Sequence, residues 1–182
     1  MGDDRYSRWV RASFASARFE KFMPAVVQML GRLDCSLINE DARHGQLPPH
    51  QRDLIPEVLR ASDQHTLSYL WVLGAYEVTR TIEDRARNGS YTLSQELADR
   101  LRSAKARFTR LRIPLAKMVP AKKHAATDSL IAYPGQHPTM GVTWHIAEGV
   151  FVTRRELSDM LLELLEDLRA DAPAFPQGTD TA

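Results

Sequence analysis

The sequence predicts a mainly α-helical protein of the α+β class. We expect a helical bundle with a long antiparallel helix hairpin and a small three-stranded antiparallel β-meander before the C-terminal helix. Apolar residues recur at spacings of three and four along most of the chain, as on the buried face of a helix. After residue 128 the apolar runs shorten and alternate with a period of two, which is typical of strands, and a helical period returns after residue 153.

Length and composition fit one globular domain. The chain has 182 residues, of which 43% are hydrophobic and 26% charged, as in ordinary soluble proteins with a substantial core. We predict a single domain over residues 1–170 and a frayed tail over 171–182, because the tail contains proline, glycine and threonine and has no apolar period. One cysteine, Cys35, excludes an intramolecular disulfide and a cysteine-based zinc site.

The sequence favours a soluble cytoplasmic protein with no membrane partner. The N-terminus is charged from residue 3 and lacks the apolar segment of a secretory signal. The longest apolar run, YLWVLGAY at residues 69–76, has eight residues. A membrane-spanning helix needs about 20.

Two amphipathic helices are predicted in the first third of the chain. The first covers residues 5–20, and the second covers 24–42 with Pro24 at its first position. Glycine and two prolines predict a loop over 44–51, and a short helix is expected near 54–59. The apolar stripe of the second helix comprises Val26, Val27, Leu30, Leu33, Leu37 and Ile38.

The helix hairpin is predicted from residues 62–88 and 94–113, which are joined by a turn at Asn88-Gly89. The first of these helices is apolar on nearly all sides over 67–76, so we expect it to be central in the bundle or buried at a subunit interface. Pro114 should end or kink the second helix. The main apolar stripe of the first helix comprises Leu67, Leu70, Trp71, Gly74, Val78 and Ile82, and its polar side carries a predicted ion-pair ladder of Glu77, Arg80 and Asp84.

Three short β-prone runs at residues 129–134, 140–147 and 149–153 predict the meander. In the second run Val142, Trp144 and Ile146 alternate onto one face, and Thr143 and His145 onto the other. The C-terminal helix then starts at a capping box formed by Thr153 and Glu156.

The charge distribution is uneven although the net charge is only +1. Residues 100–127 carry nine Lys and Arg and no acid, whereas residues 128–182 carry three basic and nine acidic residues. On the helix up to residue 113 the cations spread around the solvent side, which favours a solvated face that partly pairs with the acidic C-terminal helix. Near and beyond Pro114 the chain leaves the helix, so side chains can converge. The candidate anion-binding residues are Arg110, Arg112, Lys117, Lys122, Lys123 and His124.

A nucleic acid would use such a segment through salt-sensitive phosphate contacts. The one aromatic residue of the segment, Phe108, falls in the apolar stripe, so the segment itself offers no platform for stacking bases. The sequence pI of about 7.9 is also below that of a dedicated nucleic-acid binder.

Catalytic and metal-binding motifs are absent from the sequence. It contains no HExxH, P-loop, GxSxG or GxGxxG pattern, so we assign no catalytic residue, no cofactor and no metal. His137 and His145 could meet across the meander hairpin with Asp128 as a third ligand. The alternative, which we favour, is a turn histidine and a sheet-surface histidine.

Two functional hypotheses follow. The first is a non-enzymatic helical interaction protein that self-associates as a homo-oligomer, suggested by the apolar excess of residues 67–76 and by the opposite charges of the basic middle and the acidic end of the chain. The second is a small enzyme or binder of an anionic substrate, either RNA or a phosphorylated metabolite, that uses the basic segment 110–124.

Overall fold

The computed structural model describes residues 2–89 and 91–171. Within these residues the chain forms six α-helices, two 3₁₀ turns and one three-stranded sheet, in the predicted class and with the sheet before the C-terminal helix. Residues 172–182, most of the predicted frayed tail, lie outside the described residues. The elements are α1 (Gly2–Ser13), a 3₁₀ turn (Phe14–Arg18), α2 (Met23–Gln46), α3 (Pro49–Arg52), α4 (Ile55–Arg87), α5 (Gln95–Lys117), a 3₁₀ turn (Lys122–His124), β1 (Asp128–His137), β2 (Gly141–Ala147), β3 (Val150–Thr153) and α6 (Arg154–Ala170).

The apolar stripes of the long helices meet in one cluster of buried side chains that includes residues from all five long helices and from the sheet. Trp9 of α1, Trp71 of α4 and Phe108 of α5 are completely buried in it. Trp71 Nε1 donates a hydrogen bond to the carbonyl oxygen of Leu30 at 3.0 Å, so the one polar atom of this ring is satisfied inside the core. The predicted hairpin is formed by α4 and α5, which pack along each other.

The long helix α4 differs from its prediction in two ways. It begins at Ile55 rather than residue 62, because no glycine or proline between Glu57 and Leu73 interrupts it, so the predicted short helix near 54–59 is its first part. Leu67 and Leu70, which the apolar stripe predicts in the core, are exposed on the outer side of this helix. The ladder of Glu77, Arg80 and Asp84 is confirmed.

Three other helix boundaries also differ from prediction. The α-helical part of the first helix ends at Ser13 and continues as the 3₁₀ turn, and α2 continues to Gln46, into the predicted loop. Helix α5 passes through Pro114 and ends at Lys117. A proline ring removes only one hydrogen bond of the helix. Pro114 is buried, and its contact with the protein interior stabilises the last turn of α5.

The three strands form an antiparallel sheet in the order β1-β2-β3. Val142, Trp144 and Ile146 of β2 are buried, as the period-two alternation predicts, but Thr143 of the other predicted face is also buried and His145 is half-buried. The predicted capping box is also present: the Thr153 hydroxyl accepts a hydrogen bond from the backbone N–H of Glu156, and the Glu156 carboxylate accepts one from the backbone N–H of Thr153. The sheet therefore runs directly into α6.

Candidate anion-binding pocket

A cleft of about 320 Å³ lies between the outer face of α5 and the 3₁₀ turn Lys122–His124. Helix α5 ends where Met118 adopts a left-handed backbone conformation with φ 54°. The chain after this residue places the turn beside α5, and the buried side chain of Ala121 anchors it. The apolar part of the cleft lining comprises Ala106, Ile113 and Ala121, and the polar part comprises Glu83, Arg102, Lys105, Thr109, Arg110, Lys122, Lys123 and His124.

Arg110 forms one side of the cleft and is already paired. Its Nε and Nη2 donate to the two carboxylate oxygens of Asp128 at 2.9 and 2.8 Å, a bidentate arrangement. The Asp128 side chain is fully buried. The hydrogen bonds from Arg110 lower the pKa of Asp128 and raise the pKa of Arg110. This pair fixes α5 to the first residue of β1, so Arg110 acts mainly as a structural part of the cleft.

Lys105 also lines the cleft and is paired with carboxylates. Its ammonium group donates to Glu83 at 2.6 Å and lies 3.5 Å from a carboxylate oxygen of Asp84. Partial burial alone would lower the pKa of Lys105, but the hydrogen bonds and negative charges of these two acids outweigh it and raise that pKa. Lys105 therefore adds little uncompensated charge to the cleft.

Lys122 and Lys123 differ from Arg110 and Lys105. Their side chains are exposed, and within residues 2–89 and 91–171 no carboxylate lies at ion-pair distance from either ammonium group. His124, half-buried, follows them, and its backbone N–H donates to the carbonyl oxygen of Ala121 at 2.7 Å, which closes the turn. In this part of the chain, two cations without a carboxylate partner thus lie at the edge of a cleft with an apolar base.

The six predicted residues do not form one group. Arg110, Lys122, Lys123 and His124 line the cleft. Arg112 instead lies over the ring of Tyr76, 4.9 Å from its centroid, in a cation–π contact with α4. Lys117 is exposed in the last turn of α5 and does not line the cleft.

The sequence prediction missed Glu83 of α4 and three polar lining residues of α5: Arg102, Lys105 and Thr109. A signal for the three α5 residues was present, since they and Ile113 recur along α5 at spacings of three and four and therefore share one face. Thr109 Oγ1 donates to the carbonyl oxygen of Lys105 at 2.7 Å, so this hydroxyl is held within the helix.

A second, larger cleft of about 400 Å³ lies at the turn between α4 and α5. Its charged lining includes Glu83, Arg87 and Arg102. Arg87 and Arg102 each donate to a nearby aspartate. This cleft lacks the two exposed lysines that distinguish the first.

The buried charge cluster of Asp34, Asp41 and Arg154 was not predicted. Arg154 donates from Nη1 to Asp34 at 2.5 Å and from Nη2 to Asp41 at 2.8 Å. Asp34 also accepts from Arg5 Nε at 2.7 Å and from Trp9 Nε1 at 3.1 Å. The sequence did contain a signal for a buried charge, because Asp34 follows Leu30 by four residues and so falls inside the apolar stripe of α2. This cluster joins α1, α2 and α6, and we assign it a structural role.

Asp128, His137 and His145, the three residues of the metal hypothesis, bind other groups or lie apart from one another. Asp128 is held by Arg110, and His137 Nδ1 accepts backbone N–H groups from the turn that follows β1. The sheet register places His137 opposite Gly141, four residues along β2 from His145. In the described part of the chain no group of three or more His, Cys, Asp or Glu side chains is arranged to hold a metal ion.

None of the helices in the described residues combines the length and the apolar composition needed to cross a membrane. Comparison of the chain with protein-family models, with curated proteins and with solved structures finds no match. Function is therefore inferred from the geometry of the molecule alone.

Proposed function

We propose that this protein binds a phosphate-bearing ligand in the cleft between α5 and the turn Lys122–His124. The observation that carries the proposal is the pair Lys122 and Lys123: two exposed ammonium groups, without a carboxylate partner in the described residues, at the edge of a cleft. Lysine ammonium groups bind phosphate as mobile point charges and need no fixed geometry. The apolar base formed by Ala106, Ile113 and Ala121 suits a ligand that carries an apolar or flat group beside its phosphate.

The paired cations support this role by shaping the cleft. Arg110 and Lys105 each neutralise a carboxylate at its border, which removes negative charge that would otherwise repel an anion. The bidentate contact with Asp128 also fixes the segment that follows the two lysines. The lysines are then the groups left to bind the ligand.

The test is a titration of the protein with inorganic pyrophosphate at low salt, measured by isothermal titration calorimetry. We expect saturable binding that weakens at least tenfold in the double variant Lys122→Glu/Lys123→Glu. The matched control is Arg107→Glu/Lys117→Glu, which makes the same change in net charge at exposed positions of α5 outside the cleft. Equal losses in both variants would show that net charge, rather than the cleft, binds the anion and would overturn the proposal.

Self-association is a second candidate function, favoured by one observation. Met29, Leu67 and Leu70 are 64%, 41% and 51% exposed on neighbouring parts of α2 and α4. These helices lie side by side, since Trp71 Nε1 donates to the Leu30 carbonyl oxygen at 3.0 Å. Exposed apolar side chains that lie together mark interaction surfaces more often than scattered ones.

Light scattering coupled to size-exclusion chromatography tests the second candidate. If a second copy covers this face, the wild-type protein is a dimer or larger and Leu67→Glu/Leu70→Glu is a monomer. Leu130→Glu is the control, because Leu130 is 66% exposed but lies on the sheet. A monomeric wild-type protein at high concentration would reject this candidate and leave the pocket proposal untouched.

A further inference from the structure

The solvent-facing side of the sheet carries a row of three aromatic rings, one from each strand. Tyr133 of β1 lies opposite His145 of β2, which lies opposite Phe151 of β3. Tyr133 and Phe151 are 56% and 59% exposed. The rings of His145 and Phe151 are stacked, with centroids 4.8 Å apart and planes 22° from parallel. We refer to these three residues as the aromatic row.

Tyr133 and Phe151 offer flat rings to solvent on either side of His145, which is half-buried and whose Nε2 is buried with no hydrogen-bond partner in the described residues. The strand register fixes the order of the rings, and the stacked contact restrains two of them. Exposed aromatic side chains on a small sheet are the usual platform on which single-stranded bases stack. Such stacking tolerates any base, because every base has a π-face.

The aromatic row and the cleft lie at the same end of the sheet. Arg110, in the wall of the cleft, holds Asp128, which pairs with Ala147 of β2. Ala147 is two residues along β2 from His145, about 7 Å at the usual rise of a strand. Between Asp128 and Tyr133 the strand β1 bulges, and Leu130 and Ile131 in that bulge are exposed.

We infer that the phosphate-bearing ligand is a single-stranded nucleic acid, with a backbone phosphate at Lys122 and Lys123 and neighbouring bases stacked on the aromatic row. This inference rests on the proposed function and names its ligand class. A single strand is the ligand that presents phosphates and unpaired flat bases in alternation, which matches a cationic cleft and a row of rings near the same end of the sheet. Within the basic segment of residues 100–127, attraction along the strand comes from the exposed cations without a carboxylate partner among the described residues, which are Arg107, Lys117, Lys122 and Lys123.

The experiment measures fluorescence anisotropy with a labelled oligothymidylate 12-mer and with an abasic 12-mer that has the same number of phosphates. The test variant is Tyr133→Leu/Phe151→Leu, which removes two rings but keeps apolar side chains at exposed positions. We expect its affinity for oligothymidylate to fall about tenfold or more. Its affinity for the abasic oligomer and for pyrophosphate should stay within about twofold of wild type.

The variant Phe151→Tyr is the conservative control, because it keeps a flat ring and should keep wild-type affinity for oligothymidylate. Lys122→Glu/Lys123→Glu should weaken all three probes and flatten the salt dependence. The ring variants measure the contribution of the bases to binding, and the lysine variant measures the contribution of the phosphates.

The outcomes distinguish this inference from the proposed function. Pyrophosphate binding lost in the lysine variant, together with unchanged oligothymidylate binding in the ring variant, overturns the nucleic-acid inference and leaves the anion pocket standing. The nucleic-acid inference is also overturned, and the anion pocket left standing, if Tyr133→Leu/Phe151→Leu loses as much affinity for the abasic oligomer as for oligothymidylate. Wild-type binding to pyrophosphate without binding to oligothymidylate also overturns the inference. Absence of binding to any probe overturns both.

Discussion

Arg154 and Asp34 form an ion pair in which neither side chain has any exposure to solvent; the Arg154 Nη1 to Asp34 Oδ1 distance is 2.5 Å. The two residues are separated by 120 positions in sequence, one at the start of α6 and the other in the middle of α2. Taking two charges out of water is costly, and only their mutual attraction and further hydrogen bonds offset that cost. Arg5 and Trp9 supply such bonds to Asp34. The pair therefore holds the N-terminal and C-terminal helices in one arrangement.

Replacing Asp34 by asparagine should be strongly destabilising. The change leaves Arg154 with one carboxylate partner, Asp41, in place of two. Removing one partner of a buried ion pair costs about 3–5 kcal/mol when the other charge is left unpaired, and because Asp41 remains we expect the lower end, about 3 kcal/mol. Urea denaturation measures this as a fall in the free energy of unfolding. The control is Asp159→Asn, which removes a partly exposed partner of Arg5 and should cost under about 1 kcal/mol. Equal costs for the two variants would show that the buried pair has no special role.

Gly141→Ala should disrupt the contact between the start of β2 and α2. A Cβ at this position would overlap the Asp41 carboxylate, and the backbone φ of 73° is unfavourable for any side chain. Asp41 is also held by Arg154 at 2.8 Å, so it cannot move aside freely. We expect a loss of more than about 2 kcal/mol in the free energy of unfolding, measured by chemical denaturation.

The matched control for this substitution is Gly149→Ala. Gly149 has a similar φ of 68°, but a methyl group added there, at the β2–β3 turn, would have no other atom within 4 Å. Its cost should reflect backbone conformation alone, about 1 kcal/mol. If both glycines cost the same, the close approach of Asp41 to Gly141 contributes nothing to stability.

Gly31→Ala tests the packing of α1 on α2. The added methyl would lie 2.5 Å from Cβ and Cγ of Trp9, atoms near the backbone of a fully buried side chain. Overpacking of this kind costs about 1–3 kcal/mol and should exceed the helix-propensity gain of alanine. Gly74→Ala is the counterpart in α4: its methyl would meet only the flexible end of Leu30, at 3.0 Å. Thermal unfolding should therefore show a lower Tm for Gly31→Ala and little change for Gly74→Ala. The reverse order would show that the close packing of Gly31 on Trp9 does not limit the stability of the protein.

Much of the fold was predictable because its signals are local. The capping box of Thr153 and Glu156 lies within a few residues and is confirmed, and Val142, Trp144 and Ile146 of β2 are buried as their spacing predicts. The exposure of Leu67 and Leu70 was not predictable from α4 alone. That helix is apolar on several sides, and only the positions of α2 and α5 decide which side is buried.

The candidate site divides in the same way. Lys122, Lys123 and His124 were identified because they are adjacent in a connector, and they do lie together. Arg112 was grouped with them by proximity in sequence, but it lies near Tyr76 because the helix turns its side chain toward α4. The aromatic row was out of reach, since its three rings are brought together by the pairing of separate strands.

The pair of Arg110 and Asp128 gives the stability of the protein a defined dependence on acid pH. The hydrogen bonds from Arg110 lower the pKa of Asp128 in the folded protein below its ordinary value of 3.8. Between these two values the unfolded chain binds more protons than the folded one, so stability rises with pH through that window. The contribution is fully present above the ordinary value and is lost as pH falls through the lower, folded value.

Asp128→Asn should remove this contribution. We expect the variant to be less stable than wild type by about 1–3 kcal/mol at pH 7, since a charge-assisted hydrogen bond to a buried carboxylate is lost. The difference should begin to shrink as the pH is lowered below about 4, where the unfolded chain takes up a proton at Asp128, and the ion-pair contribution is lost as the pH falls through the lower pKa of the folded protein. Urea denaturation of both proteins between about pH 3 and 7 measures it. Glu148→Gln, at an exposed position in the β2–β3 turn, controls for the loss of one acidic charge. A difference between Asp128→Asn and wild type that stays constant over the whole range would show that the ion pair with Arg110 is not its cause.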